Sequence, residues 1–387
     1  MTIPRLKFVS SIIAGQSPSS TDVSFFNGGM PFLQGKAEFG PVSPIPRYEC
    51  AVAPRSCEVG DILVSVRAPV GAINLADQRY CIGRGLNAVR AEAIEPGFLR
   101  WVLESAERRL RSEANGSTFE AITAWNIGEV PYVDYSRGTQ RTIADYLDRE
   151  TGEIDAMLAK LNSLSEALAE RKVLVIQNLT QRSDSGVRWT AVPTAHLFSS
   201  IGSGTTPKGA HYYAESGSGI PWVTTSELRE SVIVETTQDV TEEAVGALSA
   251  LRVHPRGSVV IAMYGATIGR LAMLGVDAAM NQACCAFSSP RNVDSRFFYY
   301  VLWGQREELI LEANGGGQPN ISQGFLRRWR VPCPPLVEQR RIADRLDEVT
   351  GRIDAMLTKI AELKALLVER RAALITDVVT GRKQVPA

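Results

Sequence analysis

The chain has 387 residues, 44% of them hydrophobic, and its 42 Lys and Arg balance 42 Asp and Glu. At roughly 100 to 200 residues per domain this implies two or three domains, without the overall basic surplus common in proteins that grip phosphates. No eighteen apolar residues run together, the first 30 residues carry Arg5, Lys7 and Asp22 without a secretory pattern, and only Cys284 and Cys285 of the six cysteines adjoin; a cytoplasmic protein with reduced thiols, no bound metal and no membrane association is expected.

Near the amino end GQSPSS reads as a loop, and GDILVSV (60–66) is a short β-branched run opened by glycine, a predicted strand. FLRWVLESAERRL (98–110) has helical periodicity. Its basic cluster Arg108, Arg109 and Arg111 reads equally well as a solvated helix face. NGSTFEAI (115–122) follows as a glycine-containing loop. From residue 139 a helix of about 40 residues is predicted, with Ile143, Leu147, Ile154, Met157, Leu161, Leu164, Leu168 and Val175 as a heptad seam in which Glu150 and Arg171 fill the gaps. Gly152 predicts a kink or brief break after Thr151.

The same series then returns. GSGTTPKG (202–209) resembles GQSPSS, GSVVIAMYG (257–265) resembles the first strand, and FFYYVLWGQREELILEANG (297–315) matches FLRWVLESAERRLRSEANG (98–116). NGGGQPNI (314–321) takes the place of NGSTFEAI, and Gly315 to Gly317 would let backbone approach a ligand closely. EQRRIADRLDEVTGRIDAML (338–357) aligns without a gap on TQRTIADYLDRETGEIDAML (139–158), an offset of 199 that still holds at Ile176 and Ile375. The second seam is Ile342, Leu346, Val349, Ile353, Met356, Ile360, Leu363, Leu367 and Leu374, with Arg370 in place of Arg171 and Gly351 predicting a break after Thr350. The chain is therefore two tandem copies of a unit of about 190 residues.

The fold expected is α+β: two mixed α/β domains, 1–138 and 185–337, alternating with long helices at 139–184 and 338–387. Packed as an antiparallel coiled coil, the helices would relate the two copies by a pseudo-two-fold. About 40 residues at ~1.5 Å each make a helix of roughly 60 Å, long enough for a spacer.

No catalytic constellation stands out. In GSGTTPKG, Pro207 removes an N–H that a phosphate loop needs, and Gly209 replaces the hydroxyl residue that would hold magnesium. PCPPL (332–336) is similar to the base-holding motif of amino-methyltransferases, but Cys333 accepts amino hydrogens poorly and Leu336 cannot stack. Glu170 and Lys172, like Glu362 and Lys364, have a nuclease-type spacing but lie on predicted coiled-coil helices. His196, His211 and His254 are too dispersed for a triad.

Two recognition-sized domains on a rigid spacer suggest a ruler that reads two places on DNA. PPLVEQRRIADRLDEVTGRIDAML, its preceding variable domain and its second copy resemble the specificity subunit of type I restriction-modification enzymes, with further likeness in Ile220 to Val223, Ala266 to Gly269 and Asn281 to Ala283. The first unit departs from the pattern, having PYVDYSRGTQ (131–140) where the second has PCPPLVEQ.

The resemblance implies a non-catalytic subunit of a DNA methyltransferase/endonuclease complex. Each recognition domain would read one half of a bipartite, asymmetric site, and the helices would fix the gap and dock two methyltransferase (modification) subunits, which restriction/translocase subunits then join. S-adenosylmethionine, ATP and magnesium would belong to those partners, and this chain would hold no cofactor. Base edges are read by Arg, Asn, Gln and Lys on exposed loops. The candidates are Gln16, Lys36, Arg67, Arg84 and Asn115 in the first domain, and Lys208, Tyr264, Asn281, Gln282, Gln318 and Asn320 in the second. Arg327, Arg328 and Arg330 suit phosphate neutralisation. A coiled-coil adaptor that binds proteins through both globular domains is the alternative.

Overall fold

A computed structural model describes residues 4–114, 121–181, 189–313 and 320–385. Asn115, Gln318 and Gly315 to Gly317 lie outside the described residues. The chain divides into two compact units: residues 1–161 with 361–387, and residues 162–360. Each unit thus combines one globular domain with part of each long helix.

In the first unit an antiparallel sheet has the order Ser10–Ala14, Leu86–Ala91, Ile62–Ser65, Ile73–Leu75. The predicted strand at 60–66 is its fully buried member, Ile62–Ser65. A five-stranded sheet follows the order Val23–Phe25, Tyr48–Cys50, Met30–Leu33, Tyr80–Ile82, Ser56–Cys57, with one parallel pair between Met30–Leu33 and Tyr80–Ile82. The helix Pro96–Ser105 begins at Glu95, whose carboxylate accepts from the Phe98 N–H at 2.7 Å, capping an otherwise unpaired donor. Phe98, Leu99, Trp101, Val102 and Leu103 on its inner face are buried with Ile62, Val64 and Val89 of the first sheet.

The second unit repeats this plan. One sheet has the order Phe198–Ser203, Cys284–Pro290, Val259–Ala262, Leu271–Leu274, Ser231–Ile233, and the other Tyr213–Glu215, Gln238–Val240, Ile220–Val223, Ala279–Met280. The last strand of the first sheet, Ser231–Ile233, is an addition that pairs parallel with Leu271–Leu274. Asp294 caps the helix Ser295–Gly304 by accepting from the Arg296 and Phe297 N–H groups.

The long helices, Arg137–Gln181 and Leu336–Val379, run without interruption. The breaks predicted after Thr151 and Thr350 do not occur. Both threonines are buried, and their hydroxyls donate to the carbonyls of Leu147 and Leu346 at 2.6 and 2.7 Å, a bond made within the helix itself. Gly152 and Gly351 stand in open space, so their cost is one of propensity alone.

Within each unit the two helix segments are antiparallel. In the first, Ile143 and Leu147 share a core with Ile375 and Val379, and Asp155 accepts from Arg371 at 2.9 Å. In the second, Ile176 shares a core with Ile342 and Leu346, and Asp354 accepts from Lys172 at 2.7 Å. These ion pairs are the same pair written twice, 199 residues apart.

Of the predicted seam, Ile143, Leu147, Ile154, Ile342, Leu346, Ile353, Ile360 and Leu367 are buried, and Leu161 and Leu168 are half-buried. Met157 and Met356 are corrections: they are 49% and 52% exposed, as are Leu164 at 48% and Leu363 at 42%. The inward stripe passes one residue later, through Ile154, Leu158, Leu161, Ser165, Leu168 and Lys172, and through Ile353, Leu357, Ile360, Lys364, Leu367 and Arg371. The apolar pair Met157–Leu158 fits either of two heptad phases. The polar seam residues Ser165, Lys172 and Arg371 hid the true one, since a long basic side chain lays its alkyl stem along the seam while its charge finds a carboxylate. By the same shift Thr151, Lys172, Thr350 and Arg371 hold the places expected of Glu150, Arg171, Val349 and Arg370. No helix among the described residues is long and apolar enough to cross a membrane.

Candidate nucleic-acid interface

In the first unit the loops that leave the strands Met30–Leu33, Ile62–Ser65 and Tyr80–Ile82 converge on an open groove of about 590 Å³. Lys36, Arg67 and Arg84 line it together. All three are exposed, and among the described residues none of their side chains makes an ion pair or hydrogen bond. The one acid in the groove, Glu38, is 5% exposed and turned onto the backbone, accepting from the N–H groups of Gln34 at 3.2 Å and Gly35 at 3.0 Å. The groove therefore faces solvent with three uncompensated cations.

The backbone beneath these cations is tightly held. Ser65 Oγ donates to the carbonyls of Arg67 at 2.8 Å and Pro69 at 3.0 Å, and Arg67 is bridged to Ala121. The Arg84 N–H donates to Ser17 Oγ at 3.2 Å, and the Gln16 N–H to the Ile82 carbonyl at 2.9 Å, which places the exposed Gln16 beside Arg84 in the chain's folding. Gly85 follows Arg84 because nothing larger fits, since a Cβ there would collide with the Gln34 carbonyl oxygen, and a Cβ on Gly83 would lie tightly against the Phe32 ring at 3.1 Å.

The second unit rebuilds this backbone with other side chains. Met263 donates to the Ala283 carbonyl and Ile321 to the Met263 carbonyl, just as Val66 donates to Gly85 and Ile122 to Val66. Tyr264 is bridged to Asn320 as Arg67 is to Ala121, so the fold brings those two candidates together. Thr205 donates to Met280 as Gln16 does to Ile82, which makes Gln282 the counterpart of Arg84. Thr225 opens a short 3-10 turn ending in Glu227, as Lys36 opens one ending in Glu38. Hence Lys36, Arg67 and Arg84 correspond to Thr225, Tyr264 and Gln282. Three cations become three neutral hydrogen-bonding groups.

Gln282 is oriented by Thr206, whose hydroxyl donates to its Oε1 at 2.6 Å. Asn281 has its Oδ1 engaged by the Ala283 N–H at 3.0 Å and shapes the turn. Lys208 stands exposed on the loop that carries Thr205 and Thr206. The three clustered arginines are not gathered here: Arg327 donates to the Ile201 carbonyl at 2.7 Å and Arg330 to the Ala191 carbonyl at 2.9 Å, while Arg328 is exposed. Reading the sequence in single candidates missed Ser17, Thr205, Thr206 and Thr225. Aligning the two copies loop by loop is the signal that finds them.

Other polar features have structural employment. Glu49 is held below the usual carboxylate range by the N–H groups of Asn27 and Gly29, in the connection between the two strands that flank its own, and Asp239 ties Gly217 and Gly219 in the same way. Glu170, Lys172, Glu362 and Lys364 lie on the long helices. Among the described residues no group of three or more His, Cys, Asp and Glu could hold a metal ion.

Residues 187–365 match the family model of the type I restriction modification DNA specificity domain. That stretch of the chain is therefore similar to the type I specificity domain. It is 40% identical over 114 residues to a putative type I restriction enzyme MjaX specificity subunit of Methanocaldococcus jannaschii, a stretch covering 29% of this chain and 27% of that protein. To the type I restriction enzyme EcoR124I/EcoR124II specificity subunit of Escherichia coli it is 24% identical over 237 residues, covering 59% of this chain and 57% of that protein. The chain thus spans little more than half the length of these curated relatives at most.

Among solved structures, a chain from work on complex assembly and conformational transition of the type I R-M system superposes with a TM-score of 0.80 at 17% identity, covering 99% of this chain and all of that one. The HsdS subunit from Thermoanaerobacter tengcongensis superposes with a TM-score of 0.56 at 16% identity, over 99% and 97% of the two chains. At these identities the likeness is one of fold. The fold they share is the α+β architecture with two long helices.

Proposed function

We propose that this chain is the sequence-specific DNA-recognition subunit of a type I restriction-modification complex. Each globular domain reads one half of a bipartite, asymmetric site, and the long helices set the gap and dock two modification subunits, which restriction/translocase subunits then join. The observation that carries this reading is the pair of matched loop frameworks bearing unlike side chains. A duplicated backbone that keeps its hydrogen bonds while exchanging Lys36, Arg67 and Arg84 for Thr225, Tyr264 and Gln282 is what reading two different sequences requires. Methyl transfer from S-adenosylmethionine and ATP- and magnesium-dependent translocation and cleavage belong to the partners in this scheme, and this chain positions them.

The test is to express the chain with its modification partner and map the methylated bases genome-wide. A single split motif with unlike halves is the expected result, whereas scattered or absent methylation overturns the reading. Inserting four residues after Lys160 and after Lys359 lengthens each helix by about 6 Å at ~1.5 Å per residue. Since DNA rises ~3.4 Å per base pair, the gap should grow by one or two base pairs. The adaptor alternative separates on salt, because counterion release makes DNA affinity fall steeply with log salt and an apolar protein interface responds weakly.

A further inference from the structure

Resting on the DNA-reading role proposed above, we propose that the two units read chemically different base pairs: G·C pairs in the half-site of the first unit, through Arg67 and Arg84, and an A·T pair in that of the second, through Gln282. In the major groove guanine offers two acceptors, N7 and O6, which suit the parallel donors of a guanidinium. Adenine offers an acceptor at N7 beside a donor at N6, which suits a carboxamide with one donor and one acceptor.

The charged side chains that the first groove offers to solvent are donors only. Arg67 and Arg84 are unpaired, and the groove's acid has its carboxylate turned onto the Gln34 and Gly35 N–H groups. At the position of Arg84 the second unit has Gln282, whose Oε1 already accepts from Thr206 at 2.6 Å. That bond leaves Nε2 as a donor with no partner among the described residues, and the second lone pair of Oε1 can still accept from an adenine amino group. Where the first unit has Arg67, the second has Tyr264, which can donate one hydrogen bond and accept others but cannot chelate guanine.

Base reading rather than phosphate binding falls to Arg67 and Arg84 because their backbones are fixed. Arg67 is held by Ser65 and the bridge to Ala121, and Arg84 by Ser17 and by the close packing of Gly85 against the Gln34 carbonyl. A planar fork on a rigid support keeps the geometry that bidentate recognition needs, whereas Lys36, a point charge on a flexible stem, fits a phosphate.

The test is selection from duplexes randomised in both half-sites and the gap, using the full complex of this chain with its modification subunits. Wild type should select a split site with guanine in one arm. R84Q and R67Q should each lower the preference for one G·C pair in that arm by about tenfold to a hundredfold and leave the other arm unchanged. Retention of the other arm in the same molecules shows that the variant folds. Q282R should exchange an A·T preference for G·C in the second arm alone. A uniform loss across all sequences, or a change at a pair without guanine, would overturn the assignment while leaving the DNA-reading role intact. If wild type selects no sequence, the role itself fails and the assignment with it.

Discussion

The groove of the first unit and the matching loops of the second are made by the same turns of backbone, yet the first carries Lys36, Arg67 and Arg84 where the second carries Thr225, Tyr264 and Gln282. Beneath the loops the likeness becomes identity of residue and bond. Gln140 and Gln339 are both buried. Each accepts from the N–H that precedes a helix, Glu95 or Asp294, at 2.8 Å, and each donates to a carbonyl, Tyr135 or Pro334, also at 2.8 Å. A framework constrained by buried hydrogen bonds stays fixed, because a lost partner strands a desolvated group. Exposed loop side chains bear no such cost and are free to differ.

The comparison predicts equal damage to both units when the shared framework is broken. Leu147→Ala and Leu346→Ala remove equivalent, fully buried side chains where each helix meets its globular core. Each should cost about 2 to 5 kcal/mol, measured by denaturant unfolding. Strongly unequal losses would show that the units do not share one core design.

Acid should instead separate the units. His254 is buried in the second unit, bridged to Ala278, and Cys57 takes its place in the first. Its Nδ1 lies 2.8 Å from Ser288 Oγ, and burial, with a lesser contribution from the Arg252 charge, lowers its pKa to about 4. The folded value lies below the unfolded one of about 6.5. The unfolded chain therefore takes up the proton first, so the stability contribution is full above pH 6.5 and is lost as pH falls toward 4. The loss is of order 3 kcal/mol at ~1.4 kcal/mol per pKa unit, confined to the second unit. Thermal melts from pH 7 to 4 would check it, and His254→Cys should remove that pH dependence.

The buried glutamines give a smaller, symmetric effect. Gln140→Leu and Gln339→Leu leave the Glu95 and Asp294 N–H groups without their partners, at a cost of roughly 1 to 3 kcal/mol each in the same melts. Least of all is the change at Lys36. Lys36→Ala should reduce the slope of log affinity against log salt by about 1 and weaken all sequences alike, while Thr225→Ala leaves the slope unchanged. A base-specific effect of Lys36→Ala would move that residue among the base readers.

Much of the architecture is legible in the chain itself because it is written twice. The 199-residue offset holds from the helix Pro96–Ser105 into the long helices, and the ion pairs Asp155–Arg371 and Asp354–Lys172 repeat it in three dimensions. Short buried strands such as Ile62–Ser65 and Val259–Ala262 follow from β-branched runs bounded by glycine. The heptad phase was not legible at Met157 and Met356. Adjacent apolar residues satisfy two phases equally, and polar members of the true stripe carry no hydropathy signal.

The sequence alone determined the duplication, the helix–domain alternation and the pool of polar loop residues, since these follow from periodicity and local chemistry. Tertiary structure decided which of those residues meet. Lys36, Arg67 and Arg84 come from three separate loops, and only strand pairing brings them to one groove. It also decided that Arg327 and Arg330 bind backbone carbonyls and that Asn281 braces a turn. The physical reason is that a hydrogen-bonding side chain is available to a ligand only when the fold has left it exposed and unpartnered, and that depends on contacts far away in the chain.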